Sequence, residues 1–135
     1  MSSQRQIIDR FCRAYATQSS NAHRAVQREV FGADTWVRGY TTPAQADLLA
    51  QRLDLRPGVR LLDVGAGQGW PSLYLAQKTG CQAVLTDVPE PGLRSALGRA
   101  DRLNVHRRCS FFVASGTHLP FRRRTFDAAV HTDTL

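Results

Sequence analysis

The sequence has a single lysine, Lys78, and only three cysteines. Cys12, Cys81 and Cys109 stand far apart, with no Cys-x-x-Cys pair and no histidine at a ligand-like spacing from them. That argues against a disulfide framework or a metal site and leaves three reduced, mostly buried thiols. Long hydrophobic runs are missing as well. Nothing approaches the roughly 18 apolar residues of a membrane span, and the opening Met-Ser-Ser-Gln-Arg-Gln has no apolar core of a signal peptide. A soluble, cytoplasmic protein without membrane contact is the expectation. Internal repeats and low-complexity segments are also absent.

What is present is 135 residues, 42% hydrophobic and 21% charged. This excludes wholesale disorder and allows one compact domain, since a domain takes roughly 100–200 residues. Lys and Arg number 18 against 11 Asp and Glu, a formal charge of +7. A positive excess suits nucleic acid or anions, but so extreme a bias of Arg over Lys reads as genome composition, and nucleic-acid binding is not the favoured reading.

Ile7, Ile8, Phe11, Cys12 and Tyr15 share one face of a helix beginning near Gln4, interrupted by polar residues 17–21. Residues 28–43 carry Phe31, Trp36 and Tyr40 with no clean period and read as an ordered loop or short helices. Pro43 then opens a helix in which Ala46, Leu49, Ala50 and Leu53 repeat, stopped by Pro57-Gly58. Beyond it, short apolar runs alternate with helical patterns: strands over 59–64, 82–86, 109–114 and 126–131, helices over 70–78 and along the stripe Leu93, Ala96, Leu97, Ala100 and Leu103. This predicts an α/β, Rossmann-like parallel sheet of order 3-2-1-4 with helices on both faces. An N-terminal helical cap, residues 1–43, would precede the α/β domain, residues 44–135. The last strand runs almost to Leu135, so the sheet reads as truncated, with an edge open to self-association. A fragment, or a chain completed by a partner, is expected.

The chemistry concentrates in Leu61-Leu62-Asp63-Val64-Gly65-Ala66-Gly67-Gln68-Gly69-Trp70-Pro71. A buried strand ends at Val64, glycines at alternate positions permit a tight turn and close backbone approach, and Pro71 suits a helix start. The dinucleotide fingerprint is G-x-G-x-x-G; here the third glycine comes one residue early, and Asp63 would repel a pyrophosphate but suit a cationic amino-acid group. The second strand ends in Asp87, where a carboxylate can accept both hydroxyls of a ribose, and Val88 could pack on an adenine. The ligand so described has an adenosine and a positive charge.

The residues 63–69, Asp87, and Leu119-Pro120-Phe121 followed by Phe126-Asp127-Ala128-Ala129-Val130 resemble class I S-adenosylmethionine-dependent methyltransferases, of the small-molecule branch that includes the ubiquinone-biosynthesis enzymes. The likeness covers about residues 30–135 and implies S-adenosyl-L-methionine as cofactor and a small-molecule methyl acceptor. It places Gly65, Ala66, Gly67 and Gly69 against the methionine part, Asp63 near its ammonium, and Asp87 on the ribose. The family's Asp-Ala pair before the Leu-Pro-Phe proline is Ser115-Gly116 here, so the resemblance implies an adenine contact that is either weaker or made by the Ser115 hydroxyl and the Gly116 backbone. His131 would face the sulfonium side and is the one candidate base. Tyr40, in Arg38-Gly39-Tyr40-Thr41-Thr42, matches a loop that closes over the methionine carboxylate.

Blander roles stand beside these. His131 could bond backbone, Asp133 could cap a following helix, Asp127 could make local contacts only, Tyr40 and Trp36 could cover the core, and Arg122-Arg123-Arg124 could be a solvated turn. Two other functions remain open: a non-catalytic binding module that keeps the fold, and an NAD-linked oxidoreductase. A nucleic-acid methyltransferase is disfavoured, since no Asn-Pro-Pro-aromatic or Pro-Cys motif follows the fourth strand.

Overall fold

A computed structural model describes residues 3–17, 21–31 and 39–132. Two helices open it, α1 (Gln4–Thr17) and α2 (Asn21–Phe31). Along the apolar stripe of α1, Ile8, Cys12 and Tyr15 are half-buried while Ile7 and Phe11 stay exposed. α2 corrects the aperiodic reading from residue 28 onward: the helix continues to Phe31. Its Val26 and Val30 are exposed, so it has little buried stripe to betray it. Trp36 and Asp133 lie outside the described residues.

α3 (Pro43–Arg52) begins where Pro43 can sit without losing a hydrogen bond. Thr42 Oγ1 accepts from the Gln45 N–H (3.2 Å) and Gln45 Oε1 accepts from the Thr42 N–H (2.8 Å), a reciprocal cap that fixes the start. The helix ends at Arg52, ahead of the expected Pro57-Gly58 stop, because Leu53 caps it and Asp54 turns left-handed at φ 50°.

The rest alternates: β1 (Arg60–Val64), α4 (Ser72–Thr79), β2 (Gln82–Asp87), α5 (Glu90–Arg102), a single 3-10 turn (His106–Arg108), β3 (Cys109–Val113) and β4 (Ala128–Val130). The strands pair in parallel in the order β3-β2-β1-β4, as the sequence predicts. α4 ends at Gly80, left-handed at φ 75°.

Cross-strand rows decide where the core lies. Leu61 stands beside Ala83 and Ala128, Ala83 beside Cys109; Asp63 stands beside Leu85 and Val130, Leu85 beside Phe111. These rows, Asp63 apart, join one apolar cluster with Ala46 of α3, Leu73, Leu75 and Ala76 of α4, and Leu93, Ala96 and Ala100 of α5. Full burial of each such leucine is worth roughly 1.5–3 kcal/mol. The expected cover on both faces is thus supplied on one face by these helices. Right-handed crossovers that step from β1 to β2 to β3 in one direction put α4 and α5 on the same side. On the other face Phe112 is 42% exposed. There the loop between β3 and β4 lays its own rings, Phe121 edge-on to Phe112 (5.4 Å) and to Phe126 (5.0 Å).

Asp127 also departs from the expectation of local contacts. It precedes β4, and its Oδ2 accepts from the Arg60 N–H (2.9 Å), pinning the start of β1 beside β4. Arg122, Arg123 and Arg124 are exposed in a turn, with Thr125 Oγ1 donating to Arg122 O (2.6 Å). No helix among the described residues is long and apolar enough to cross a membrane.

Candidate functional site

The carboxyl ends of β1, β2 and β4 converge. After β1 the loop turns sharply, with Gly65, Gly67 and Gly69 at φ 78°, 54° and 96°. The sequence therefore needs glycine there for backbone reasons before any ligand is considered. The N–H groups of Gly65 and Ala66 both donate to Thr86 O (2.8 and 2.9 Å), that of Gly69 donates to Ala66 O (2.9 Å), and that of Gly67 donates to Asp87 Oδ2 (2.7 Å). Four donors are thus spent within the protein. A loop that cradles a pyrophosphate must aim such donors outward.

Asp63 is 1% exposed on β1. One oxygen accepts from Ser72 Oγ at 2.6 Å, from the first turn of α4, and the other, Oδ1, is buried without a partner. Burial, against the Ser72 bond and with the Asp87 charge adding to it, pushes this carboxyl up to about 7, and the His131 ring pulls only weakly the other way. A buried acceptor of this kind is costly unless a donor or cation reaches it. Asp87 ends β2. Its Oδ1 accepts from the Val88 N–H (2.8 Å) and its Oδ2 from Gly67, leaving each oxygen a second lone pair. Burial raises this carboxyl too, opposed by those two bonds.

On the far side of β1, His131 follows β4 and its Nδ1 lies 2.9 Å from Val64 O. A carbonyl only accepts, so Nδ1 carries a proton and Nε2 is the nitrogen left for proton exchange. The bond bridges β1 and β4, where the strand order reverses, the usual ligand crevice of open α/β sheets.

The remaining positions divide. Gly116 packs on the end of β1: a Cβ there would meet Val64 Cγ1 at 2.8 Å. Ser115 Oγ is engaged in its own turn, 2.9 Å from Thr117 Oγ1. Gly69 faces inward, where a Cβ would meet Leu73 Cδ1 at 2.6 Å and Ala96 Cβ at 3.1 Å, so close packing already accounts for it. Tyr40 stands apart, 92% exposed at the rim of an open cavity of about 540 Å³ between α3 and Thr132. Its neighbour Thr41 is tied to the loop, since Trp70 Nε1 donates to Thr41 O (2.8 Å). Sequence reasoning missed Ser72, which bonds Asp63, and Arg99, whose Nη1 donates to Gln68 O at 2.7 Å and anchors the loop to α5. Neither belongs to a short motif; both come from helices packing back on the loop.

Comparison with known proteins adds a family to this geometry. Residues 61–135 match the family described as "Methyltransferase domain". Methyltransferase GfsG of Streptomyces halstedii is 38% identical over 79 residues, covering 58% of this chain and 28% of that protein. A S-adenosylhomocysteine complex of a SAM-dependent methyltransferase from Geobacter sulfurreducens superposes with a TM-score of 0.63 at 23% identity, covering 79% of this chain and 42% of the other. The structure of the cyclase SpnF superposes with a TM-score of 0.60 at 35% identity, covering 64% and 32%. The chain spans about a third or less of the length of the curated relatives it matches. With more than half of its residues inside the matched family, the chain belongs to the methyltransferase-domain proteins.

Proposed function

We propose that the chain binds S-adenosyl-L-methionine and takes part in cytoplasmic methyl transfer to a small-molecule acceptor. The observation that carries the reading is the pair of carboxylates, Asp63 buried and Asp87 half-buried, around a loop whose N–H groups at Gly65, Ala66, Gly67 and Gly69 are already spent. Such a site repels a diphosphate and attracts a cation. The orphaned Asp63 Oδ1 would take the amino-acid ammonium, Asp87 the ribose hydroxyls, Val88 one face of the adenine, and Ser115 and Gly116 its edge. Gly65, Ala66 and Gly67 would form the floor. Bound there, the sulfonium supplies a methyl group already activated for transfer. The task left to the protein is to hold an acceptor in line, and a base matters only for a weak nucleophile such as a hydroxyl. His131 Nε2 would then take the proton, with Val64 O holding the ring in orientation. Tyr40 would close over the amino-acid end.

The curated relatives and the S-adenosylhomocysteine complex of the Geobacter protein support this reading. A second reading, binding without methyl transfer, draws on the cyclase SpnF, whose name describes a different reaction on the same fold at 35% identity.

Titration calorimetry on the full chain separates the possibilities. S-adenosylhomocysteine is expected to bind and NAD not to, and Asp87→Ala should abolish binding, since it removes both the ribose acceptor and the clamp on Gly67. Preference for NAD would sink the proposal. Binding together with no transfer to any acceptor of a small-molecule panel would favour the second reading.

A further inference from the structure

α1 packs against α5, and the seat is made by two glycines. A Cβ on Gly92 would meet Tyr15 Cδ2 and Cε2 at 2.9 Å and Gly67 O at 3.0 Å; a Cβ on Gly67 would meet the Tyr15 hydroxyl oxygen at 2.8 Å. Gly92 lies in the first turn of α5, and the space a side chain would take there is filled by the Tyr15 ring. Gly98, in the same helix, has only Arg102 Nη1 near its Cβ position, at 3.7 Å. Tyr15 is held from two further directions: Gln68 Nε2 donates to its carbonyl oxygen (3.4 Å), and its ring centroid lies 6.0 Å from that of Phe11. Its hydroxyl therefore reaches Gly67, the residue whose N–H donates to Asp87 Oδ2.

We infer that Tyr15 is a cofactor-binding residue that closes the site at the corner formed by Gly67 and Asp87. The inference rests on the function proposed above and adds to it a residue outside the family-matched span 61–135. The chemistry is complementary. A carboxylate only accepts, so a ribose hydroxyl held by Asp87 still offers its own oxygen lone pairs, and a phenol can donate to them. The Gly92 socket brings that phenol to the corner in a ring whose position packing has already fixed.

Calorimetric titration of S-adenosylhomocysteine into the full chain tests this, with thermal denaturation of each ligand-free variant as the control for folding. Tyr15→Phe keeps the ring and removes the hydroxyl; it should weaken binding roughly threefold to tenfold, the effect of one hydrogen bond, in a variant that still unfolds cooperatively. Gly92→Ala should weaken binding at least as much by displacing the ring, whereas Gly98→Ala should bind like the parent. Parent-like affinity in Tyr15→Phe would overturn the inference, as would tighter binding in either variant, which would make Tyr15 an obstruction. If the parent chain binds and Asp87→Ala does not, while Tyr15→Phe equals the parent, the function stands and the role of Tyr15 falls. If the parent chain itself does not bind, both fall.

Discussion

Asp63 has an elevated affinity for a proton because the fold buries it beside a second acid and gives it one hydrogen bond, from Ser72. Its folded value of about 7 lies above its ordinary 3.8, so the stabilisation associated with the protonated form is fully present below pH 4 and is lost as pH rises to 7. Above that, the ionised carboxylate burdens the ligand-free fold by an amount on the order of a few kcal/mol. Asp63→Asn should therefore raise the melting temperature at pH 8 far more than at pH 5. A ligand ammonium at Oδ1 reverses the balance by favouring the ionised form. Affinity of the parent chain for S-adenosylhomocysteine should rise between pH 6 and pH 8, and Asp63→Asn should flatten that rise; an affinity independent of pH in the parent would remove Asp63 from the ammonium site. The two acids are legible in the sequence because each sits at a fixed place, one on the strand two residues before a glycine loop and one at the end of the next strand. Tyr15 and Ser72 are not, because their contacts depend on how helices pack. Tyr15 meets Gln68 across 53 positions of chain, and no local period encodes such an approach.

At the scale of elements, the strands and α5 are readable because parallel strands buried under helices become continuous apolar runs, and α5 presents a single stripe. α2 escapes because Val26 and Val30 face outward. The expectation of helices on both faces came from strands apolar on both sides, yet part of that second face is filled by Phe121 and Phe126 from a loop with no helical pattern. The only lysine ties two elements together: Lys78 Nζ and Tyr74 Oη of α4 each lie 2.6 Å from Asp47 Oδ1 of α3, which holds the Asp47 carboxyl below its usual range. The turn between β1 and α4 is more tightly constrained. At Gly69 an alanine would bear both the cost of φ 96° and the overlap with Leu73. Gly69→Ala should cost about 2–4 kcal/mol in denaturant unfolding. A loss below about 0.5 kcal/mol would show that the loop and α4 yield easily, contrary to the packing described.

For the whole molecule, net charge and site charge point in opposite directions. The chain carries +7, yet the crevice at the strand ends holds two carboxylates, so the composition misleads about the ligand and the topology does not. The reversal of strand order at β1 opens that crevice, and Val64, Asp87 and His131 are gathered there because each ends or follows a strand beside it. A ligand that binds only the folded chain adds stability, about 2.7 kcal/mol at a hundredfold excess over its Kd, so S-adenosylhomocysteine should raise the melting temperature where NAD does not. The position of the ligand is the most direct test. Crystals of the chain grown with S-adenosylhomocysteine are predicted to show the ribose on the Asp87 carboxylate and the amino group at Asp63 Oδ1. Density for the adenosyl group elsewhere, or an ammonium turned away from Asp63, would contradict the account.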